Sequence, residues 1–346
     1  MTKSEIDALV RHGTFPDKAS KRELVETHIS WVILSRRFVY KIKKPVKYDF
    51  LDFSTLSRRR HFCHAEVNLN RRLAGGMYID VLPVTQSEKG FAIGGIENTI
   101  DYAIRMKRMD DGKQMDVLLR DGKVSEQQIK ALARTIAAFH QKAEVVRRFD
   151  LACLNKEFND LAGEKEFLAK ALGKWSYAAI ENAISFSEAY LSDNRTLLTT
   201  RLREGLFRDV HGDLHTRNIF LLKRPVLFDC IEFNDEYRRI DVLSEVAFLC
   251  MDLDASGYEA FSDSLLMHYN HYFRAMRNES ERRLFLYYKC YRANVRAKVN
   301  SLRARTLPAS KRSGALRETS KYLRLVNGYI GQLSWQQGRV YFSRKD

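Results

Sequence analysis

The chain has 346 residues, 45% of them hydrophobic and 29% charged, which excludes a peptide-sized or disulfide-stapled module and suffices for two cores or one domain with a large extension. Fifty-nine Lys and Arg against 43 Asp and Glu leave a formal charge of +16, so an anionic partner is expected. The excess is local: residues 281–346 hold 16 basic and three acidic residues, whereas the preceding 280 hold 43 and 40.

In chain order, two runs rich in β-branched and aromatic residues, 31–34 and 38–43, flank the polar break Ser35-Arg36-Arg37 and predict a hairpin. A helix follows, N-capped at Ser54, with Phe62, Ala65, Leu69 and Leu73 inward and Gly75-Gly76 as its end. Residues 78–84, 91–93 and 101–106 read as strands, giving a small sheet with one helix in an N-terminal domain over residues 1–108. Beyond Met109 helical periodicity dominates, over 126–142, throughout 157–191, and over 258–302 and 315–330, with a flexible link at 305–314. This second domain, 109–346, is interrupted by one β-rich island at 210–233. The fold class is α+β.

The island reads Val210-His211-Gly212-Asp213-Leu214-His215-Thr216-Arg217-Asn218, then two apolar runs around Lys223-Arg224-Pro225. A hairpin turning near Arg224 sets Asn218 across from Asp229 or Cys230, with Asp213 close to the same end. Singly these are ordinary turn residues. Asp229, however, sits within Val226-Leu227-Phe228 and Cys230-Ile231, where a carboxylate without a partner is costly. Two carboxylates and an amide oxygen at one point suit Mg²⁺. Glu66 falls on the inward face of the first helix and requires a cation; Lys41 and Lys43, on one face of the preceding strand, are its nearest candidates.

Strand lysine, helix glutamate, His-x-Asp-x-x-x-x-Asn and a following apolar-Asp are the parts of a kinase phosphoryl-transfer site in chain order. The sequence resembles the aminoglycoside phosphotransferase and choline kinase branch of the protein-kinase-like fold, through His211-Gly212-Asp213-Leu214-His215-x-x-Asn218 over roughly residues 27–305. Within that branch, Val39-Tyr40-Lys41-Ile42-Lys43-Lys44-Pro45-Val46 and Phe50-Leu51-Asp52-Phe53-Ser54 look like an uncharacterised bacterial subgroup often fused to a P-loop kinase-like domain. No G-x-x-x-x-G-K-[ST] occurs, so that second domain is expected to be absent.

The resemblance implies a bilobal fold with a β-rich N-lobe and a helical C-lobe, and an ATP- and Mg²⁺-dependent transfer to a hydroxyl of a small molecule, with GTP as the alternative donor. It implies that Lys41, oriented by Glu66, holds the phosphates, with Lys43 as the fallback. Asp213 would accept or orient the acceptor hydroxyl, and Asn218 and Asp229 would hold the metal. Residues 106–109, including Met106 and Arg108, would form the hinge that reads adenine. In place of a glycine-rich loop stands Glu26-Thr27-His28-Ile29-Ser30, so the phosphate lid would use backbone N–H groups and hydroxyls such as that of Ser30. Asp-Cys-Ile replaces Asp-Phe-Gly at Asp229, which speaks against activation-loop switching but not against metal binding.

Around residue 290 an apolar stripe (Leu284, Tyr288, Tyr291, Val295, Leu302) runs beside a basic one (Lys289, Arg292, Arg296, Arg303). Either the basic stripe is a solvated face or, as the resemblance implies for helices bordering the acceptor pocket, Arg292 and Arg296, with His215, grip the acceptor; the latter favours a neutral or anionic acceptor over a polycationic aminoglycoside. The rival classes are a nucleotide-holding scaffold, a protein Ser/Thr kinase, and a basic module for nucleic acid, for which no recognised motif is present. His61-x-x-His64 and His268-x-x-His271 are expected to be solvated or capping, His211 and His215 to shape their loop rather than bind zinc, His140 to cap or brace, and Asp241 to N-cap the helix through Leu249. Five well-separated cysteines without a C-x-x-C pair predict neither disulfides nor a thiolate zinc site, and point to the cytoplasm. The N-terminus has no apolar core of a signal peptide, and no run approaches the ~18 apolar residues of a membrane span.

Overall fold

The computed structural model describes residues 1–18, 21–48, 50–96 and 98–342, so the last four residues of the basic stretch lie outside the described residues. The chain divides into two compact units.

The first unit comprises Met1–Val124, His211–Asp213 and Arg217–Arg238. Its elements are α1 (Lys3–His12), β1 (Glu23–Glu26), β2 (Ser30–Leu34), β3 (Phe38–Lys43), β4 (Lys47–Tyr48), β5 (Leu51–Asp52), α2 (Leu56–Arg71), β6 (Tyr78–Ser87), β7 (Gly90–Ile93), β8 (Thr99–Lys107) and α3 (Met115–Arg120). Six strands form one antiparallel sheet in the order β1-β2-β3-β8-β6-β7, so β3 lies inside the sheet. Alternation along β3 divides its side chains between two cores. Tyr40 and Ile42 join Ile6, Leu9 and Trp31 on the α1 side. Val39 joins Cys63, Val67 and Ile104 on the α2 side, which is also where Lys41 and Lys43 fall.

Three expectations for α2 are corrected. Ser54 bonds Asp52 through its amide and hydroxyl, and the N-cap is Thr55, whose Oγ1 accepts from the Arg58 N–H at 3.2 Å. The helix ends at Arg71, short of Gly75. Its buried face is Arg59, Cys63, Glu66, Val67 and Asn70, one position away from the anticipated apolar stripe. Polar side chains occupy that face because each finds a partner there: Arg59 pairs with Asp101 at 2.8 Å, and Asn70 donates to the Glu66 carbonyl at 2.9 Å.

The island contributes a hairpin, Ile219–Phe220 with Val226–Leu227, in which Ile219 faces Leu227 and Phe220 faces Val226. That register sets Asn218 opposite Phe228, whose N–H donates to the Asn218 carbonyl at 3.0 Å, and not opposite Asp229 or Cys230. The turn centres one residue earlier than Arg224, and Asp229 leaves the ladder with φ 65°.

The second unit holds Ser125–Val210, Leu214–Thr216 and the chain from Arg239 onward. It is helical: α4 (Glu126–Lys142), α5 (Ala152–Asn159), α6 (Lys165–Leu172), α7 (Lys174–Asp193), α8 (Arg195–Arg203), α9 (Val242–Ala255), α10 (Glu259–Tyr272), α11 (Glu279–Thr306) and α12 (Ser313–Phe342). The continuous helix expected over 157–191 is broken by a 3-10 turn at Asp160–Glu164 and by Gly173, whose φ of 98° only glycine adopts readily. The stretch 258–302 breaks between α10 and α11, where the Ala275 carbonyl accepts from buried Arg201 at 2.8 Å. Arg201 also holds Asp241 through two nitrogens at 2.6 and 2.8 Å and Glu281 at 2.7 Å. Asp241 is the N-cap of α9, which runs to Ala255 rather than Leu249 and is buried at every position from Val242 to Leu253. His140 is fully buried, with Nδ1 2.7 Å from the Tyr269 hydroxyl and Nε2 2.7 Å from Glu245, so it braces α4 against α10 and α9.

Candidate functional site

In the first unit a chain of charges runs from the interior to an open end. The Glu66 carboxylate takes one lysine on each oxygen: Lys41 Nζ at 2.8 Å from Oε1, and Lys43 Nζ at 2.6 Å from Oε2. Lys43 is also paired with Glu232, and Lys41 lies 2.6 Å from Asp229 Oδ1. Side-chain exposure rises along this chain, from 0% at Lys43 and Glu66 to 13% at Lys41 and 44% at Asp229. Two cations and three carboxylates leave it one negative charge in excess, and the exposed member is Asp229. Burial alone would push the Glu66 carboxyl up, but Lys41 and Lys43 override it and hold it at about 2. Burial pushes Glu232 up, against the pull of Lys43. Burial likewise opposes the charge on Lys41, yet Asp229 and Glu66 carry its pKa well above the usual lysine value.

A carboxyl held below its usual 4.5 contributes stability that is complete above that pH and is lost as the pH falls toward 2. Thermal midpoints of wild type and Glu66→Gln should therefore differ most at neutral pH and converge below 4.5. An equal separation at about pH 3 and pH 7 would contradict this assignment.

Asp229 stands in the left-handed region, at a cost on the order of 1–3 kcal/mol. Its neighbours hold it there. The Asp229 N–H donates to the Tyr78 hydroxyl at 3.2 Å, the Cys230 N–H to Asn70 Oδ1 at 3.0 Å, and the Ile231 N–H to the His211 carbonyl at 3.1 Å. His211, fully buried, accepts from the Asp213 N–H at Nδ1 (3.3 Å), so its proton sits on Nε2 and is donated to the Phe228 carbonyl at 2.8 Å. This histidine ties the loop to the hairpin end, as expected. Asn218 Nδ2 donates to the Asp213 carbonyl at 3.0 Å and to Asp213 Oδ2 at 3.2 Å, which leaves the amide oxygen as the end able to ligate. Asp213 and Asn218 thus meet, as do Lys41, Glu66 and Asp229.

Gly212 carries the loop between them at φ 88°, and a Cβ there would fall 2.8 Å from the Tyr237 carbonyl oxygen. Gly212→Ala should cost about 2 kcal/mol or more, from left-handed strain plus displacement of that backbone. Urea denaturation checks this; an unchanged midpoint would mean that the loop relaxes freely.

The remaining cofactor candidates lie in the same unit. Ser30 pairs across the ladder with Lys43, so it shares that face; it is fully buried and its hydroxyl has no hydrogen-bond partner. Met106 is buried in the α2-side core, and the Arg108 amide bonds the Arg37 carbonyl at 2.9 Å.

The acceptor candidates belong to the second unit. His215 and Arg292 flank one ring, that of Phe248, at 5.8 and 5.0 Å. Asp252 accepts from the Thr216 amide at 3.0 Å and its hydroxyl at 2.6 Å. Burial would raise the Asp252 carboxyl, but His215, Thr216 and Arg296 hold it low. His215, Arg292 and Arg296 therefore converge on Phe248 and Asp252. The basic stripe is not a solvated face at Lys289 and Arg292, which are only 8% and 7% exposed; Lys289 pairs with Asp254, and Arg292 donates to the Ser244 carbonyl at 3.3 Å.

Glu232 was missed from sequence, although the argument applied to Asp229 reaches it. It too is a carboxylate beside apolar Cys230-Ile231 and Phe233. Among the described residues, no three or more His, Cys, Asp and Glu side chains gather as a metal site, and His61 and His64 are exposed.

No family model matches the chain. Uncharacterized proteins of Mycobacterium tuberculosis and Mycobacterium bovis are each 32% identical over 286 residues, which is 80% of this chain and 54% of theirs; the chain spans about half the length of the curated relatives it matches. Choline kinase from Cryptosporidium parvum Iowa II aligns with a TM-score of 0.57 at 12% identity, covering 92% of this chain and 90% of that one. A choline/ethanolamine kinase family protein from Mesorhizobium loti aligns at 0.52 and 14% identity, covering 94% and 99%. At such identities the likeness is one of fold: the chain has the mixed α+β kinase-like fold, with an antiparallel sheet in its N-terminal part and a helical C-terminal part. No helix among the described residues is long and apolar enough to cross a membrane.

Proposed function

We propose that this chain is a cytoplasmic phosphotransferase of the aminoglycoside phosphotransferase and choline kinase kind, moving the γ-phosphoryl group of Mg²⁺-bound ATP to a hydroxyl of a small molecule. The observation that carries the proposal is Lys41, held between buried Glu66 and half-exposed Asp229 at the open end of the charge chain. A lysine in that position stays charged, and Glu66 aims it. Lys43, enclosed by Glu66 and Glu232, serves instead to neutralise the interior.

The residues fit the metal. Asp229 retains a second carboxylate oxygen beyond the one bonded to Lys41, and Asn218 retains its amide oxygen; Mg²⁺ takes few protein oxygens and completes its shell with phosphate and water. When bound, it neutralises charge that builds on the phosphate oxygens. In this proposal Lys41 binds the phosphates, and Asp213, fixed by its contacts with His211 and Asn218, accepts the acceptor's hydroxyl proton. Met106 and Arg108 border the adenine position, and the Ser30 hydroxyl, which has no hydrogen-bond partner, serves the phosphate lid. His215, Arg292 and Arg296 face the acceptor, which the local basic excess makes neutral or anionic rather than a polycationic aminoglycoside.

Isothermal titration with ATP and with GTP, each with and without Mg²⁺, tests the nucleotide site. Metal-dependent binding that Asp229→Ala abolishes is expected, and equal binding by wild type and Asp229→Ala would overturn the assignment. The better ligand of the two identifies the donor.

A further inference from the structure

In the second unit a cavity of 760 Å³ opens along α12, against the end of α6 and the end of α9. That volume lies within the range of small-molecule sites. Its floor is apolar, formed by Leu172, Ala255, Leu316 and Leu325. Along its wall Arg317, Lys321 and Arg324 recur at helical spacing, so one turn after another presents a cation to the same opening. The acid of the wall, Asp254, is already committed: it accepts from the Tyr329 hydroxyl at 2.6 Å and pairs with Lys289. Lys321 has Glu318 at 2.8 Å, but both side chains are over a third exposed and screened by water. The Arg324 guanidinium lies 5.7 Å from the ring of Trp175, an exposed tryptophan.

We infer that this cavity binds a single-chain anionic amphiphile, its phosphate or carboxylate head on Arg317, Lys321 and Arg324 and its hydrocarbon body on the leucine floor. Apolar floor and cationic wall together select this class. A purely polar anion leaves the floor wet, and a neutral hydrocarbon makes no use of the cations on the wall. The local basic excess of the chain thereby acquires a second use, independent of any phosphoryl transfer.

Gly328 supplies the test. It lines the cavity one turn beyond Arg324, and a Cβ there would meet nothing within 4 Å, so Gly328→Phe enters open space at a helical position. Decyl phosphate and decanoate, below their micelle concentrations, would be titrated into the full chain and followed by calorimetry and Trp fluorescence. Inorganic phosphate serves as the head-only control, and decyltrimethylammonium presents the same hydrocarbon body on a cationic head. Saturable one-to-one binding of either decyl anion is expected, weakened at least tenfold in Gly328→Phe and in Arg317→Gln/Arg324→Gln, with circular dichroism and thermal midpoints retained. The preferred head is read from the two decyl anions. Binding of neither, equal binding of decyltrimethylammonium, equal binding of inorganic phosphate, or unweakened binding in Gly328→Phe would each overturn the inference. So would a wild-type dimer that Gly328→Phe dissociates, because a second copy would then cover the face.

Discussion

Asp213→Asn should lower phosphoryl transfer about 10²–10⁴-fold, the contribution typical of a positioned general base, while leaving the fold intact. Asparagine retains an oxygen that can accept from Asn218 Nδ2, and the backbone N–H to His211 and the carbonyl that accepts from Asn218 are unchanged. Metal-dependent nucleotide binding should persist, because its proposed ligands are Asn218 and Asp229. The assay needs no acceptor: slow transfer to water, read as released phosphate, suffices. Equal slow turnover in wild type and Asp213→Asn would remove Asp213 from the chemistry.

The second large effect separates the two lysines. Lys43→Met leaves Glu66 and Glu232 sharing a buried site without the cation that lies between them, and removal of one partner from a buried ion pair costs about 3–5 kcal/mol. Against a typical total of roughly 5–15 kcal/mol, that is a severe loss. Lys41→Met should cost less stability, since Glu66 keeps Lys43 and Asp229 is 44% exposed to water, yet it should abolish transfer. Guanidinium denaturation and the phosphate-release assay on both variants make the comparison. A Lys43→Met protein as stable as wild type, or an active Lys41→Met protein, would contradict this division of roles.

Local chemistry made part of this legible. The β2–β3 hairpin announces itself by β-branched residues around a polar break, α4 by its 3.6-residue period over 126–142, and the Asp213 loop by its spacing. Glu66 reads as inward from its helical spacing to Phe62 and Leu69, and a carboxylate placed there requires a cation. Residues whose state depends on distant partners were not legible. The hairpin register turns on a one-residue difference that composition does not carry, and the left-handed Asp229 depends on Tyr78 and Asn70. Helical period alone could not distinguish a solvated Arg292 from one packed on Phe248, because what buries it is the ring on α9. The rest of the inward polar face of α2 was obscured for the same reason: Arg59 and Asn70 read as surface until Asp101 and Cys230 are in place.

The most direct test of the proposed function is transfer itself. The full chain would be incubated with Mg²⁺ and the preferred nucleotide in a pool of hydroxyl-bearing metabolites, beside Asp213→Asn, and the products read by mass spectrometry. A mass raised by one phosphoryl group on a neutral or anionic alcohol, present with wild type and absent with Asp213→Asn, is the predicted result. No new phosphorylated mass, or the same one from both proteins, would contradict it.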